Sequence, residues 1–469
     1  MFYSNSEKKC CLFILLILLL LLMGCGKSDS IKKKSSEPGE QNSVPYANAG
    51  PDQNVALGAS VVLNGSNSVD RDGYEYTLLW KIESLPSGST AVLDDSTGIT
   101  PSFIADIFGK YTISLKVHDG TLESLPDEVS IRVRLDSDSL VPDTGQTTCS
   151  NDQGDMIECP EAGEPFFGQD AGYQFFNTPS FTRLDAEGNA LPEIADTWAM
   201  VKDNVTGLIW EVKTDDNTVH DRDNKYPLEF TSENPYNVER FIYDINHENF
   251  GGHSDWRLPT IKELAQLSDY ENSGTAININ YFPKTMAFGY WSCSPFVLGT
   301  KDVWYLDFSK GNGYHYNSLF SFHARAVRGA ESSSDFQDNN DDTITDNSTR
   351  LMWMKSPADI NDDDLVDSSD TGTWTDALSY CEELDFAGYS DWRLPNINEL
   401  RSIVDYSREP HAIDEIFFPN TGIKAFWSST GLSGNLRQAW YISFHNGDDK
   451  DTKKTFKNYV RAVRETKTD

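Results

Sequence analysis

The side chains best suited to chemistry in this 469-residue chain are its carboxylates, 73 Asp and Glu against 39 Lys and Arg. Two runs alternate Asp and Asn in the way that points several hard oxygens at one cation. DNNDDTITD carries Asp338, Asn340, Asp342 and Asp346, and DINDDDLVDSSD carries Asp359, Asn361, Asp363, Asp367 and Asp370. Calcium is the cation that suits such loops. The second run departs from an EF-hand loop, with Asp364 at the place of the turn glycine and Asp370 in place of the closing glutamate. Asp215, Asp216, Asp221 and Asp223 form a comparable loop earlier in the chain, and Asp70 and Asp72 in VDRDG are a further pair. The alternative use of all these residues is turn formation, in which an Asp or Asn accepts its own backbone's N–H groups. A different recognition chemistry lies in GNGYHYNSLFSFH (residues 311–323), whose Tyr314 and Tyr316 suit stacking on sugar rings. GDDKDTKKTFKNY (residues 447–459) offers Lys450, Lys453, Lys454 and Lys457 to acidic groups. The chain has no HExxH, GxSxG or phosphate-binding glycine loop, and its eight histidines are scattered, so no catalytic residue is named.

Of seven cysteines, Cys149 and Cys159 share one short polar segment, CSNDQGDMIEC, where a disulfide is expected of an exported protein. Export is indicated at the N-terminus. Lys8 and Lys9 precede an apolar run over residues 11–23 that is too short to span a membrane and closes in LMGC. Residues 1–24 are accordingly expected to be a signal peptide and residues 25–43, rich in Ser, Lys, Glu and Gly, a tether. LMGC resembles the cleavage site of bacterial lipoproteins. The resemblance implies that Cys25 carries the lipid and that the protein sits at the outer membrane, facing the periplasm or the cell surface. A formal charge of −34 repels polyanions, which argues against a nucleic-acid partner and leaves the lipid as the membrane contact.

Residues 44–135 alternate short β-type runs with Gly, Asp, Asn and Pro, the pattern of an antiparallel sandwich. Tyr111, Ile113, Leu115 and Val117 fall on one face, with Trp80 as the expected core anchor. The phrases ANAGPDQNVALGASVVLNGSNSVDRDG, LLWKIESLPSGS and GKYTISLKVHDG resemble the polycystic-kidney-disease (PKD) type of immunoglobulin-like domain. That resemblance implies a spacer or adhesion module without catalysis.

The remainder is a duplication. Residues 253–328 align with 389–464 without a gap, and 27 of the 76 positions are identical. SDWRLP, Phe-Pro, Trp-Ser, Trp-Tyr and RAVR all recur, and DNVTGLIW (residues 203–210) recurs as DNSTRLMW (residues 346–353). An amphipathic helix is expected at Val238, Phe241, Ile242 and Ile245, matched by Ala377, Tyr380, Cys381 and Leu384. Thr260 with Glu263, and Asn396 with Glu399, have capping-box spacing, so SDWRLP reads as the entrance to a second helix. Trp256 and Trp392 are expected to close the core, and Arg257 and Arg393 to hold a carboxylate or backbone oxygens. A ligand-binding role for the two arginines is the alternative.

These phrases in this order resemble the Lcl C-terminal domain family, named for the Legionella collagen-like adhesin, over residues 170–330 and 335–466. Residues 136–169, with the two cysteines, are left as a linker. The family is related to C-type-lectin-like folds. The expected fold class is thus multidomain: an all-β immunoglobulin-like sandwich followed by two tandem α+β C-type-lectin-like domains. The resemblance implies a cell-envelope binding or adhesion protein that recognises an extracellular glycan or surface protein. A structural envelope protein is the second reading, and a polysaccharide-active or formylglycine-generating-like enzyme the third.

Overall fold

The computed structural model describes residues 42–466 apart from 57, 87–88, 108, 135–138, 174–176, 231–234, 300, 332 and 364. The signal peptide, Cys25, nearly all of the tether and Asp364 lie outside the described residues. The chain is mostly β-sheet and divides into two units between Val133 and Arg134.

In the first unit the alternating run becomes a strand, Gly109–His118. It pairs antiparallel with Thr77–Ser84 on one side and Asp127–Arg134 on the other, in a four-stranded sheet with Gln53–Ala56 at the edge beside Asp127–Arg134. Ser60–Val62 pairs with Ser102–Ile104 in a second, two-stranded sheet. Tyr111, Ile113, Leu115, Val117 and Trp80 are all buried in one core, as a strand with one face inward requires. No helix among the described residues is long and apolar enough to cross a membrane.

The second unit holds both repeats, built to one plan. In the first, Val327–Arg328, Ile209–Glu211, Met200–Asp203 and Phe181–Leu184 form a four-stranded sheet, and Gly289–Pro295, Asp302–Asp307 and Asn312–Asn317 form a three-stranded one. The second repeats the order with Val463–Glu465, Leu351–Met354, Thr343–Asp346 and Phe336–Asp338, and with Ala425–Gly431, Gln438–Ser443 and Asp449–Lys453. Among the described residues each repeat has two α-helices, α1 (Val238–His247) and α2 (Ile261–Ala265) in the first, α3 (Trp374–Glu382) and α4 (Ile397–Ser402) in the second.

The helices begin where their caps dictate. Thr260, Thr373 and Asn396 each close a capping box with the acidic residue three positions on, and Asn237 caps α1 by accepting the Arg240 amide. The caps at 237 and 373 put α1 and α3 in the same 136-residue register as the rest. Val238, Phe241 and Ile245 therefore coincide with Trp374, Ala377 and Cys381, all buried. Tyr380 and Leu384, expected on the inner face, are only partly buried.

The repeats pack on one another by exchanging aromatics about a pseudo-twofold. Tyr270 of the first lies edge-on to Trp440 of the second at 5.4 Å, and Tyr406 of the second edge-on to Trp304 of the first at 5.1 Å. α2 packs against α4 across this contact. Arg401 pairs with Asp449, whose other oxygen accepts the Gly313 amide at 2.8 Å.

Residues 139–173 are not a free linker. Gln146 pairs both oxygen and amide with the backbone of Gly431, at 2.8 and 2.9 Å, and Asn398 donates to the Pro142 carbonyl. Glu271 of the first repeat accepts from Thr147 and Thr148. Over residues 141–150, most of them buried, polar side chains substitute for backbone pairing against the two repeats, whereas much of 151–167 is exposed.

Candidate functional site

The recurring phrase assembles a scaffold. In the first repeat both terminal nitrogens of Arg257 meet the Glu263 carboxylate, at 2.8 and 2.6 Å, and Glu263 also accepts the Thr260 amide of its own capping box. In the second, Arg393 meets Glu399 at 2.6 Å twice and Glu399 accepts the Asn396 amide. The backbones of Arg257 and Arg393 pair with Val327 and Val463 of the closing strands. Asp255 and Asp391 of SDWRLP pair with Arg328 and Arg464, the last residues of RAVR. The indole N–H of Trp256 donates to the Phe250 carbonyl, and that of Trp392 to Phe386, with both rings buried. The arginine, aspartate and tryptophan of the motif thus join a module's middle to its end, while Ser254 and Ser390 stay exposed.

A copy-specific cluster lies nearby. Glu211, fully buried, accepts from Lys213 and His220 at 2.9 Å each and from the Ala326 amide at 3.0 Å. Burial alone would raise its carboxyl, but Lys213 and His220 hold it down at about 2. Sequence reasoning missed this cluster. The residues 143 positions after Glu211 and Lys213 are Met354 and Ser356, so comparing the repeats marks it as unshared.

The acidic residues do not converge. Asp70 Oδ1 accepts the amides of Asp72, Gly73 and Tyr74, while Asp72 accepts from Ser43. Asp338 pairs with Lys355 at 2.6 Å and accepts the Asn340 amide, and Asn340 and Asp342 take left-handed backbone conformations. Asp346 accepts from Ser348. Asp359 and Asn361 accept the Asp363 amide, Asp363 that of Leu365, Asp370 that of Asp367 and Asp367 that of Ser369. In the earlier loop Asp221 accepts from the amides of Asp216, Asn217 and Asp223. Among the described residues, no three His, Cys, Asp or Glu side chains are grouped so as to hold a metal ion. Many of the alternating Asp and Asn oxygens accept turn amides, while Asp70 Oδ2, Asp346 Oδ2 and Asp370 Oδ1 are buried with no hydrogen-bond partner among the described residues.

Tyr314 and Tyr316 sit on a strand rather than in a loop, and pairing with Asp302–Asp307 brings them opposite Tyr305 and Val303. Strand alternation puts both tyrosines on one face and His315, stacked on Phe296, on the other. On the first face Tyr305 stacks on buried Phe322 at 4.1 Å, Tyr316 meets Phe320 at 4.9 Å and Tyr314 lies 5.8 Å from Tyr305. Tyr314, Tyr316, Leu319 and Phe320 remain 41%, 48%, 48% and 45% exposed. Gly289 is required here. A Cβ at this position would come within 2.7 Å of the Phe322 ring and 2.8 Å of the Tyr305 ring. The second repeat has Ala425 there, with Asn458, Lys450 and Thr452 in place of Phe322, Tyr314 and Tyr316.

The lysine-rich segment of the second repeat is a strand and turn, and one of its lysines departs from expectation. Lys454 is 1% exposed, donates to Ser150 Oγ at 2.9 Å and lies 3.8 Å from the Trp374 ring centre. It is a fastening for residues 139–173, drawn inward by a carbonyl, a hydroxyl and an aromatic face, and not a ligand contact. Lys450 is paired with Asp448 at 2.7 Å, which leaves Lys453 and Lys457 exposed. Cys149 and Cys159 form a disulfide, while Cys293 and Cys381 are free thiols.

Comparison with known proteins follows the same division. The family model of the Lcl C-terminal domain matches residues 199–328 and again 342–464, and that of the K319L-like PKD domain matches residues 49–133. Among solved structures, the PKD domain from KIAA 1837 protein is 28% identical, covering 21% of this chain and 93% of that chain with a TM-score of 0.18. A nucleoside hydrolase-related hypothetical protein from Saccharophagus degradans is 22% identical, covering 20% of this chain and only 26% of that chain, with a TM-score of 0.18. Yersinia pseudotuberculosis adhesin InvE is 10% identical, covering 58% of this chain and 94% of that chain, with a TM-score of 0.14. None of the curated proteins matches. The two Lcl segments together make up more than half of the sequence, and the chain belongs to the Lcl C-terminal domain family, with two copies of that domain following a PKD domain.

Proposed function

We propose that the protein is an extracellular binding or adhesion protein whose first Lcl module takes a neutral carbohydrate on the face formed by Tyr305, Tyr314, Tyr316 and Phe320. Both of its domain types are adhesin-type, non-enzymatic families, which supports the binding role. The observation that carries the ligand is the exposed aromatic cluster on one sheet face. Tyrosine rings offer flat apolar area to the C–H face of a sugar, and their hydroxyls reach its hydroxyl groups. A neutral ligand is favoured because the chain carries a formal charge of −34, which repels sulfated or uronic chains. The second module lacks the platform, and with Lys454 buried and Lys450 paired its lysines give less support to an anionic ligand than the sequence suggested.

The test is a glycan array with neutral and sulfated members, followed by calorimetry on the hits. Tyr314→Ala and Tyr316→Ala remove half-buried rings at a cost of about 1–2 kcal/mol in stability, which leaves the domain folded, and each is expected to weaken a neutral hit at least tenfold. Retention unchanged in both variants, or binding confined to sulfated glycans, refutes the reading.

A further inference from the structure

The segment 139–173 and the second repeat enclose a small cavity, with room for about one water, lined by Asp143, Asp170, Tyr173, Arg393, Asn396 and Ser429. Asp143 and Asp170 are buried, at 3% and 2% exposure. Asp170 Oδ2 accepts the hydroxyls of Thr144 and Thr430 at 2.7 and 2.6 Å, and Asp143 Oδ1 accepts the Thr144 amide at 2.8 Å. Asp143 Oδ2 is buried with no hydrogen-bond partner among the described residues. Charge around the cavity is unbalanced. Arg393, just before α4, is engaged through both terminal nitrogens by Glu399 of α4, and Glu465 of the closing strand lies 3.9 Å from the same guanidinium. α3 adds Glu382, which accepts the Tyr173 hydroxyl, and Cys381, whose thiol burial pushes up. The charge of Arg393 thus acts on Asp143, Asp170, Glu382 and Glu399 together, in a place from which water is nearly excluded. An ionised Asp143 would leave Oδ2 desolvated and unpaired, whereas a protonated one turns that oxygen into an O–H donor to the cavity. In keeping with this, burial, with Asp170 adding to it, pushes Asp143 well above the usual carboxylate range, and burial pushes Asp170 up to about 6 and Glu382 up to about 7.

We propose that this seam is a proton-operated clasp: residues 139–173 dock on the second module with a proton held at the Asp143 and Asp170 pair, so the clasp is tight in acid and loosens as the pH rises, uncovering α4 and the Ala425–Gly431 strand. The Asn398 bond to Pro142 and the Gln146 bonds to Gly431 are the contacts that opening would break. A carboxyl raised on docking contributes fully below its undocked value of about 3.9 and loses that contribution as the pH climbs through the docked value. Asp143, Asp170 and Glu382 all act in this sense. Lys454, which donates to Ser150 farther along the segment, acts in the opposite sense, but only above about 7, to which burial has lowered its ammonium. Neither aspartate lies in the residues matched by the Lcl domain. The clasp thus belongs to this chain's arrangement of modules, and it is separate from the aromatic face.

Amide hydrogen exchange of residues 141–150, read by mass spectrometry on the full chain from about pH 5 to 7 and corrected for the intrinsic chemistry at each pH, measures opening of the seam. The opening constant is expected to rise with pH, approaching about tenfold per pH unit for each proton held. Asp143→Asn and Asp170→Asn, whose amides copy the neutral acid, should each lower that slope, and Asp338→Asn, at a residue paired with Lys355 outside the cavity, should leave it unchanged. A purely structural role for the two aspartates would change opening equally at every pH and leave the slope as it was. An opening constant that is flat or falls over this range in the natural sequence overturns the proposal without recourse to any variant. So does a slope that both Asn variants retain.

Discussion

Glu399→Gln should destabilise the second unit far more than Glu263→Gln, although the two residues occupy the same place in the same motif. Glu399 accepts two bonds from Arg393 and one from the Asn396 amide, and the paired side chains are only 8% and 5% exposed. Glutamine keeps the shape, but it turns an N–H group toward the guanidinium and leaves a buried positive charge whose next ion-pairing carboxylate, Glu465, is 3.9 Å away. Removing one partner of a buried pair costs about 3–5 kcal/mol. In the first repeat Arg257 is 23% exposed and also donates to the Gly329 carbonyl, so water and backbone recover part of the loss and about 1–2 kcal/mol is expected. Ten of the eleven tryptophans lie beyond residue 134, so urea unfolding followed by tryptophan fluorescence reports on this unit. The midpoint should fall by about 1 M or more for Glu399→Gln and by less than half as much for Glu263→Gln. Equal shifts, or a loss below about 1 kcal/mol for Glu399→Gln, would refute the assignment of burial as the deciding variable.

Glu211, with its carboxyl held at about 2 against an ordinary 4.5, contributes stability that is complete above about pH 4.5 and lost as the pH falls toward 2. The difference in urea midpoint between the natural sequence and Glu211→Gln should therefore close between pH 4.5 and 2, and a difference that persists at pH 2 would contradict the ion-paired state. We also propose the lipid anchor read from LMGC. Cys25→Ser should release the protein from the membrane fraction or leave its signal uncleaved, and a variant that matures and sediments unchanged would show the anchor to be elsewhere.

Much of the scaffold was legible before any coordinates. A period of 136 residues announced two like modules, the spacing of Thr260 with Glu263 and of Asn396 with Glu399 announced helix entrances, and alternation in residues 111–117 announced a half-buried strand. Each of these is a local rule, in which a cap, a turn or a pleat is decided by residues within a few positions of one another. The ion pair between the arginine of SDWRLP and the glutamate of the following helix belongs to the same class, since the two stand six residues apart on either side of a capping residue.

Other features depended on which distant segments meet. Lys454 reads as a surface charge in a run of lysines, and only the approach of Ser150, 304 residues earlier, makes it a buried fastening. The Asp and Asn runs read as cation loops because composition does not say whether their oxygens face an ion or their own amides. The tyrosines of residues 311–317 were visible, but their partner Tyr305 and the glycine that admits the rings come from neighbouring strands. Asp143 and Asp170 carried no signal at all, being single aspartates in a segment that looked like a linker. Sequence thus determined what short-range hydrogen bonding and periodicity can specify, whereas the cavity, the aromatic face and the burial of Lys454 were decided by tertiary contact, because exposure and charge balance belong to a place in the fold and not to a stretch of chain.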